Sequence, residues 1–434
     1  MRVLKFGGTS IGTAERMQSV ANLVLGTPGR KIVVLSAVSG TTNALVSILE
    51  AFQAGDQRLV LEQISELRNS YLQYIDALFQ QEHRDDGHKI VDKYFEEIGR
   101  LVRQPYYDQI AKIVVVVGEL ISTELFALYL RTLEERSKLI PAMDFMYLNT
   151  EGDPDMEVIA TRLKQRLEPE SETFITQGFI CRNANGGTDN LRRGGSDYSA
   201  TLIGAALGAE EVQIWTDIDG MHNNDPRVVE KTNPIAKLSF EEASELAYFG
   251  AKILHPHCII PAYQYNIPVR IKNTMKPDAP GSLINSERNP IGVKAIAAKS
   301  GITAVKIKSS RMIMAYGFLR KVFEVFEKHK TPIDMITTSE VAISLTIDDP
   351  TFLDQIQSEI EAYGKVEVDK DQTIICVVGD MVAEKTGIGS QILNALHHIP
   401  IRMISYGGSK NNISLLIDTS YKKEALNALN VGLF

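Results

Sequence analysis

A chain of 434 residues with 44% hydrophobic and 23% charged residues has the composition of a globular protein and is long enough for two or three domains. Its formal net charge of −8 disfavours nucleic-acid binding, which needs a basic face to displace counterions from phosphates. The three cysteines are far apart and fit neither a disulfide framework nor a zinc site. With no charged-then-apolar leader and no apolar run of about 18 residues, the sequence predicts a soluble, cytoplasmic protein that contacts no membrane.

The first two thirds of the chain alternate strand-like and helical segments. Residues 2–6 and 31–36 are short β-branched runs, and Thr13–Leu25 between them has helical spacing that ends at Gly26. Further strands are predicted over 139–144, 173–179, 212–217 and 267–272, and further helices over 198–207 and 239–249. This alternation predicts an α/β fold in which a mainly parallel sheet is covered by helices on both faces.

Two segments depart from that alternation. Residues 57–103 are polar and helical, which predicts an inserted helical lobe rather than part of the core. Residues 113–117 are nearly all valine and favour a buried strand, whereas the flanking stretch 107–132 has helical spacing. Local propensity alone leaves both interpretations open.

The C-terminal third contains a repeat. A cluster of proline, glycine and asparagine over 275–292 predicts a domain boundary near residue 290. Beyond it, residues 331–347 match 399–417, with Pro332 aligned to Pro400. Each copy is preceded by a strand and a helix, which predicts two ferredoxin-like modules over 291–371 and 372–434.

A glycine turn follows the first predicted strand and precedes a helix. Its sequence is Lys5-Phe6-Gly7-Gly8-Thr9-Ser10. Glycines allow a close approach to phosphate oxygens, a helix N-terminus adds partial positive charge, and Lys5 adds a full charge. Taken alone, the pattern fits equally well a turn that Thr9 or Ser10 merely caps.

A second glycine turn makes the phosphate interpretation stronger. Arg192-Arg193-Gly194-Gly195-Ser196-Asp197 also precedes a helix and combines arginines, a hydroxyl and a carboxylate, although Asp197 could be only a helix N-cap. Thr216 and Asp217 follow a strand at the end where open α/β sheets bind ligands, and Lys252 can return a second positive charge. Together these segments predict a small-molecule kinase. Since there is no P-loop motif and the two histidines at 255 and 257 do not share a helix face, neither a P-loop enzyme nor a resident metal is expected.

Several motifs in one order resemble the amino acid kinase family and, more narrowly, the monofunctional, lysine-sensitive aspartokinases. They are KFGGTS (5–10), LSAVSGTTN (35–43), GELIST (118–123), TQGFI (176–180), RGGSDYSA (193–200), WTDIDG (215–220), FGAKILHP (249–256) and PIDMITTSE (332–340). The resemblance implies a three-layer αβα, carbamate kinase-like catalytic domain over residues 1–290, followed by two ACT modules. It also implies transfer of the ATP γ-phosphoryl group to the side chain of L-aspartate, with Mg²⁺ carried by ATP. That reaction would give 4-phospho-L-aspartate at the head of lysine, methionine and threonine biosynthesis.

Carried over residue by residue, the resemblance implies three groups of site residues. Catalysis would rest on Lys5, Gly7, Gly8, Asp197 and Lys252. Aspartate would be held by Ser36, Thr42, Glu119, Arg193 and Ser196. The nucleotide would contact Lys5, Gly8, Thr9, Ser10, Thr216, Asp217, His222, Arg227, Lys252 and Ile253. The family places its Gly-Glu-x-x-Ser motif on a helix, so residues 107–132 are expected to be helical. His222 stands where relatives often carry a tyrosine.

The two ACT modules imply regulation by an end-product amino acid, with lysine expected. The effector-binding residues implied are Met312, Gly317, Phe318, Leu319, Asp334, Thr338, Ser339 and Glu340. Ala315 replaces a small hydroxyl residue of that site, and the second repeat is expected to be structural or interfacial. A homodimer or larger assembly through these modules is expected. Two other functions remain: a kinase for another acid, such as N-acetylglutamate or glutamate, or an amino-acid sensor without catalysis.

Overall fold

The structure, a computed structural model, describes residues 1–191, 194–250, 254–288, 292–309, 316–380 and 383–434. The chain divides into two compact units. The N-terminal unit consists of Met1–Met221, Ala236–Phe240 and Leu254–Ser286, and the C-terminal unit consists of His222–Ile235, Glu241–Ile253 and Glu287–Phe434. The boundary predicted near residue 290 stays a prediction, because the C-terminal unit also takes in two segments that precede it.

Strands of the N-terminal unit form a mainly parallel sheet. They are β1 (Arg2–Phe6), β2 (Lys31–Leu35), β3 (Ser137–Leu139), β4 (Thr173–Gln177), β5 (Ile180–Arg182), β6 (Thr188–Asn190), β7 (Glu211–Thr216), β8 (Lys237–Ser239), β9 (Val269–Asn273) and β10 (Ser282–Asn285). Eight of these described strands lie in the order β3-β4-β2-β1-β7-β9-β10-β8, while β5 and β6 form a separate hairpin. The pairing of β9 with β10 is antiparallel and the other pairings in the large sheet are parallel. The predicted mainly parallel α/β fold is confirmed.

Helices connect these strands and cover the sheet. They are α1 (Ala14–Gly26), α2 (Thr41–Gln53), α3 (Gln57–Leu78), α4 (Gln81–Leu101), α5 (Asp108–Val115), α6 (Val117–Thr132), α7 (Met156–Arg166), α8 (Gly195–Leu207) and α10 (Pro256–Gln264), whereas α9 (Phe240–Tyr248) belongs almost wholly to the C-terminal unit. Helix α1 shows why the sequence folds this way. The side chain of Thr13 accepts the backbone N–H of Arg16 at its start, and Met17, Val20 and Val24 turn one apolar face towards the core.

Two expectations about this unit are wrong. The strand predicted over 139–144 ends at Leu139, because Pro141 cannot continue a ladder and a 3-10 turn follows at Ala142–Asp144. The polar insert is not separate from the core, since buried residues of α3 and α4 such as Tyr71 and Phe95 belong to the same apolar cluster as Phe6.

The valine-rich segment is helical, as the resemblance implied. Helices α5 and α6 are separated only at Val116. Contrary to the sequence expectation, Asp108–Thr132 is long and apolar enough to cross a membrane, with a mean hydropathy of 2.0. However, 67% of its apolar window is buried inside the protein, which is the pattern of a core helix. We interpret it as a core helix.

The C-terminal unit contains one antiparallel sheet built by both repeats. Its strands are β11 (Val293–Lys308), β12 (Ile336–Thr338), β13 (Ala342–Ile347), β14 (Lys365–Gly379), β15 (Ile401–Tyr406) and β16 (Asn412–Asp418), in the order β12-β13-β11-β14-β16-β15. Its further helices are α11 (Phe318–Lys328), α12 (Leu353–Ile360), α13 (Ile388–Ala395) and α14 (Lys422–Leu433). The two long strands β11 and β14 pair along their length. The second half of β11 also pairs with β13 of the first repeat, and the second half of β14 also pairs with β16 of the second repeat, so both long strands run through both modules. The predicted pair of ferredoxin-like modules is confirmed, with the addition that they share these strands.

Candidate active site

The carboxyl ends of four neighbouring parallel strands lie at one edge of the N-terminal sheet. Phe6 at the end of β1 is in register with Leu35 of β2 and with Trp215 of β7, and Leu35 is in register with Gln177 of β4. The turns that follow these strands therefore meet at the same edge. In open α/β sheets this is where ligands bind.

The glycine turn after β1 is closely packed against the turn after β2. The backbone N–H of Gly7 donates to the carbonyl of Trp215 at 3.2 Å, and that of Ser39 donates to the carbonyl of Gly8 at 3.2 Å. A Cβ atom on Gly8 would lie 2.7 Å from the carbonyl oxygen of Ala37, so only glycine fits there. Neither Thr9 nor Ser10 caps a helix, because α1 is capped by Thr13. The interpretation of this turn as a mere capping motif is wrong.

Ser10 has a different role from the one predicted. Its side chain is fully buried, and its hydroxyl lies 2.7 Å from the hydroxyl of Thr274 and 3.3 Å from the carbonyl oxygen of Trp215. These contacts turn the hydroxyl into the protein, so Ser10 stabilises the turn and its predicted contact with the nucleotide is not supported. The neighbouring Thr9 is exposed and lines the cavity described below.

Lys5 and Asp197 form an ion pair beside the glycine turn. Lys5 Nζ lies 2.6 Å from Asp197 Oδ1, and the two side chains are 10% and 16% exposed. Helix α8 begins at Gly195 and its N-cap is Gly194, whose φ of 75° is left-handed. Asp197 thus lies in the first turn and is not the N-cap, so the capping interpretation of Asp197 is wrong. Its carboxylate instead fixes the ammonium group of Lys5.

A cavity of about 500 Å³ opens at the same edge of the sheet. Six predicted residues line it: Gly8, Thr9, Ser36, Thr42, Glu119 and Ser196. Eight others were not predicted: Ala37, Val38, Ser39, Gly40, Asn43, Phe179, Gly194 and Gly195. Most of the missed residues lie within the motifs 35–43 and 193–200, where neighbours of the chosen residues also face the cavity. Its size suits a small ligand rather than a macromolecule.

Phe179 is the missed residue with the least ordinary backbone. Its φ of 67° is left-handed, a conformation that costs energy for an aromatic residue and that recurs at functional sites. The backbone N–H of Phe179 donates to the hydroxyl of Ser199 at 2.9 Å, which holds the turn against α8. A Cβ atom on Gly195 would lie 2.4 Å from the Phe179 ring. No residue type in the sequence signals this conformation.

Glu119 is a buried carboxylate that faces the cavity. It lies in the first turn of α6 and is 4% exposed. Burial raises its pKa to about 8, although backbone N–H groups of Ala37 and of Glu119 itself favour the charged form. Its Oε2 atom has no hydrogen-bond partner among the described residues. Such a group in a cavity is suited to receive a cationic ligand group.

The remaining predicted substrate and nucleotide residues are either not described by the structure or do not line this cavity. Arg193, Lys252 and Ile253 lie outside the described residues. Thr216 donates its hydroxyl to Asp217 Oδ1 at 3.2 Å, and neither residue lines the cavity.

His222 and Arg227 belong to the C-terminal unit. Nδ1 of His222 lies 2.8 Å from the hydroxyl of Thr232, and Arg227 donates to both carboxylate oxygens of Asp225 at 2.9 and 2.8 Å. Hydrogen bonds from Arg227 lower the pKa of Asp225. Nucleotide contacts by His222 and Arg227 stay predictions.

The predicted effector residues that the structure describes lie in the C-terminal unit, within the first repeat. Met312 and Ala315 lie outside the described residues. Gly317, with a left-handed φ of 77°, caps α11, where Phe318 and Leu319 form the first turn. Thr338 ends β12, and Ser339 and Glu340 form the turn before β13.

Asp334 is the predicted effector residue with the strongest internal contacts. Its side chain is 1% exposed, and Oδ1 accepts hydrogen bonds from Lys299 Nζ and from the hydroxyl of Tyr248, each at 2.8 Å. The same lysine lies 2.8 Å from Asp348 Oδ2 and 4.6 Å from the centre of the Tyr248 ring. Asp334 is therefore already paired with a cation of its own chain.

Comparison with known proteins identifies the family. The model of the amino acid kinase family matches residues 1–273, which is more than half of the chain, and that of the ACT domain matches residues 375–432. The chain is 33% identical to lysine-sensitive aspartokinase 3 of Escherichia coli, over 100% of this chain and 99% of that one. It is 34% identical to the chloroplastic aspartokinase 3 of Arabidopsis thaliana, over 100% of this chain and 81% of that one.

Two solved structures of E. coli aspartokinase III resemble the whole chain at 32% identity. The complex with aspartate and ADP, in the R-state, has a TM-score of 0.88 with 100% of both chains covered. The complex with lysine and aspartate, in the T-state, has a TM-score of 0.82 and covers 100% of this chain and 99% of that one. The chain therefore belongs to the aspartokinases, within the amino acid kinase family, and carries C-terminal ACT modules.

Proposed function

We propose that this protein transfers the γ-phosphoryl group of ATP to the side-chain carboxylate of L-aspartate, giving 4-phospho-L-aspartate and ADP. The observation that carries the proposal is Glu119, a buried carboxylate with one oxygen that has no partner among the described residues. It faces the cavity that is also lined by the glycine turn after β1, residues 7–11, which we call the phosphate turn. A kinase that phosphorylates an amino acid needs both features in one place. The reaction is the first step towards lysine, methionine and threonine.

The acceptor would bind through its two charged ends. The α-ammonium group of aspartate would donate to Glu119, and Arg193 would grip the α-carboxylate in a two-pronged pair. Ser36 and Thr42 line the cavity and would donate to the side-chain carboxylate, which attacks the γ-phosphorus. Ser196, at the start of α8, lines the same cavity.

The phosphoryl group would be held by charge and backbone N–H groups rather than by a covalent intermediate. Lys5, kept in place by Asp197, would neutralise the γ-phosphate as ADP leaves, and the turn at Gly7 and Gly8 would approach its oxygens. Lys252 would add a second charge. Mg²⁺ would enter bound to ATP and neutralise the phosphates. Catalysis would then depend on in-line positioning of the two substrates.

Feedback regulation by lysine is part of the proposal. The E. coli relative was solved with lysine in a T-state, and the effector residues predicted for this chain, between 312 and 340, precede the segment 375–432 that the ACT domain model matches. An effector inhibits only if it binds one global state better than the other. We also propose that copies of the chain associate through these modules and that the protein acts in the cytoplasm.

A hydroxamate trap tests the proposed function. Hydroxylamine attacks an acyl phosphate, releases phosphate and leaves a hydroxamate, which forms a coloured complex with added ferric iron, so the assay detects carboxylate phosphorylation directly. Purified protein with ATP and Mg²⁺ is given L-aspartate, L-glutamate or N-acetyl-L-glutamate in turn, and ADP is measured in parallel. We expect ATP-dependent hydroxamate with L-aspartate and little with the other acids. No product from aspartate, or a larger signal from another acid, would contradict the proposal.

A further inference from the structure

The helices α3 and α4 form a hairpin beside the active site, outside the set of residues that would touch either substrate. Tyr71 and Tyr74 of α3 are three residues apart and therefore lie on the same face of the helix. Each hydroxyl group reaches a different segment of the active site. The hairpin therefore contacts both the acceptor side and the phosphate side.

Tyr71 contacts the loop that would hold the acceptor. Its hydroxyl lies 2.8 Å from the hydroxyl of Thr41, and both residues are only 3% exposed. Thr41 is the first residue of α2 and lies between Gly40 and Thr42, which line the cavity. The side chain of Thr41 is thus directed into the protein, while its two neighbours face the ligand space.

Thr41 also contacts the turn that carries Glu119. A Cβ atom on Gly118 would lie 2.8 Å from the methyl carbon of Thr41, so the threonine packs directly on the residue before Glu119. Tyr71 therefore holds Thr41 from one side and α6 supports it from the other. A shift of Thr41 would displace both Thr42 and the surroundings of Glu119.

Tyr74 contacts the end of the phosphate turn. Its hydroxyl donates to the carbonyl oxygen of Ile11 at 2.8 Å and lies 3.3 Å from that of Thr13. Ile11 is the last residue of the 3-10 turn that begins at Gly8. Tyr74 thus fixes the far end of the turn whose near end is fixed by Trp215.

The two helices of the hairpin are held together by direct contacts. Arg68 of α3 pairs with Asp92 of α4 at 2.7 Å. A Cβ atom on Gly87 would lie 2.8 Å from the side chain of Ile75, so the two helices approach closely. Because Ile75 directly follows Tyr74, this packing fixes the position of the tyrosines along the helix.

We propose that Tyr71 and Tyr74 are positioning residues for phosphoryl transfer: Tyr71 orders the acceptor loop 36–43 and Tyr74 orders the phosphate turn 7–11. The proposal rests on the proposed aspartate kinase activity. It gives the hairpin a divided role, in which one hydroxyl serves the acceptor and the other serves the nucleotide. A merely structural hairpin would affect both substrates alike.

Phenylalanine variants test this division, because they remove only the hydroxyl groups. Tyr71→Phe is expected to raise KM for aspartate by about threefold to tenfold, the range of one net hydrogen bond, with KM for ATP within about twofold. Tyr74→Phe is expected to change KM for ATP or kcat and to leave KM for aspartate within about twofold. Tyr94→Phe is the matched control, because the hydroxyl of that buried tyrosine of the same hairpin donates to Glu124 and not to residues 7–11 or 36–43.

A second variant keeps the test valid if Tyr71→Phe folds poorly. Thr41→Val removes the other partner of the same hydrogen bond, so it should raise KM for aspartate to a similar degree. The double variant should be little worse than either single variant, since both remove one contact. Additive effects, or single variants that lose thermal stability while both KM values stay unchanged, would overturn the inference. Wild-type protein without aspartate turnover would instead contradict the proposed function, so the two failures are distinguishable.

Discussion

Two buried carboxylates, one in each unit, differ in whether a cation of the chain is paired with them. Glu119 in the N-terminal unit has backbone N–H partners but no cation among the described residues, and burial raises its pKa to about 8. Asp334 in the C-terminal unit is paired with Lys299 and with the hydroxyl of Tyr248. Burial disfavours the charged form of Lys299, but hydrogen bonds to Asp334 and Asp348 outweigh it and raise the pKa of the lysine.

This difference indicates two modes of ligand binding. A cationic ligand group that reaches Glu119 meets no competing cation among the described residues, and below about pH 8 it displaces only the proton of the carboxyl group. A cationic effector that reaches Asp334 must instead compete with Lys299 for the same carboxylate. The carboxylate of the acceptor site therefore has no cationic partner in the described part of the chain before aspartate binds. The carboxylate of the predicted effector site is already paired with Lys299, which occupies the position that a cationic effector would take.

Asp197 extends the comparison, because like Asp334 it is paired with a lysine of its own chain. Replacing Lys5 by alanine is expected to lower kcat by about a thousandfold or more, since a charge that neutralises the transferring phosphate is lost. Steady-state ADP release measures the effect, and circular dichroism checks folding. Lys112→Ala is the control, because it breaks another 2.6 Å ion pair, with Asp189, at residues that do not line the cavity. Normal turnover by Lys5→Ala would refute the phosphate role.

Removing the charge of Glu119 tests the acceptor side of the comparison. Glu119→Gln is expected to raise KM for aspartate by about tenfold to a hundredfold, the range of a charge-assisted hydrogen bond, with a smaller effect on kcat. Because a buried carboxylate without a cation is replaced by a neutral amide, the variant should melt no lower than wild type at pH 8. Glu124→Gln, on the same helix but paired with Lys93, is the control. An unchanged KM for aspartate would show that Glu119 does not hold the acceptor.

The raised pKa of Glu119 predicts a pH dependence with a definite sign. In the free enzyme Glu119 is protonated below about pH 8 and must lose its proton to hold an ammonium group. KM for aspartate should therefore fall by about tenfold or more between pH 6.5 and 8.5. The stability that this raised pKa contributes is fully present below about pH 4.5 and is lost progressively as the pH rises from there through about 8. Glu119→Gln should show a flat KM profile, and an equally steep profile in that variant would mean that another group titrates.

The pairing of Asp334 with Lys299 predicts an effect on inhibition by lysine that is smaller than the effects above. Lys299→Met removes the internal competitor, so the lysine concentration for half-inhibition should fall by about fivefold while activity without lysine stays within about twofold. Titration of the aspartate kinase rate with lysine measures this. Lys308→Met is the control, because Lys308 lies on the same strand and pairs with the exposed Glu367. Weaker inhibition in Lys299→Met than in wild type would mean that Lys299 helps to bind the effector.

Local patterns in the sequence predicted most of the elements. Strand β1 has the predicted bounds, and the glycine turn after it lines the cavity as expected. The strand predicted over 139–144 is wrong because the apolar run includes Pro141. Strand propensity favours the run, but proline has no backbone N–H to donate to a neighbouring strand. The helical character of 107–132 required the family resemblance, because valine content alone favours a strand.

Contacts between distant residues could not be predicted. Ser10 faces Thr274 across 264 positions of the chain, and no local pattern distinguishes such a hydroxyl from one that faces a ligand. The packing of the insert against the core could not be predicted for the same reason. Its polar composition reflects the exposed face of α3 and α4 and does not show what their apolar face contacts. The left-handed backbone of Phe179 is likewise fixed by its neighbours Gly195 and Ser199.

The most direct test of the acceptor site compares L-aspartate with succinate, which lacks only the α-amino group, in the hydroxamate assay. If Glu119 binds the ammonium group, wild-type kcat/KM should favour aspartate by about a hundredfold or more, and Glu119→Gln should lose most of that preference. The control for general damage is kcat/KM for succinate, which should change little in the variant. If wild-type protein used succinate as well as aspartate, or if Glu119→Gln kept the full preference, the acceptor role of Glu119 would be contradicted.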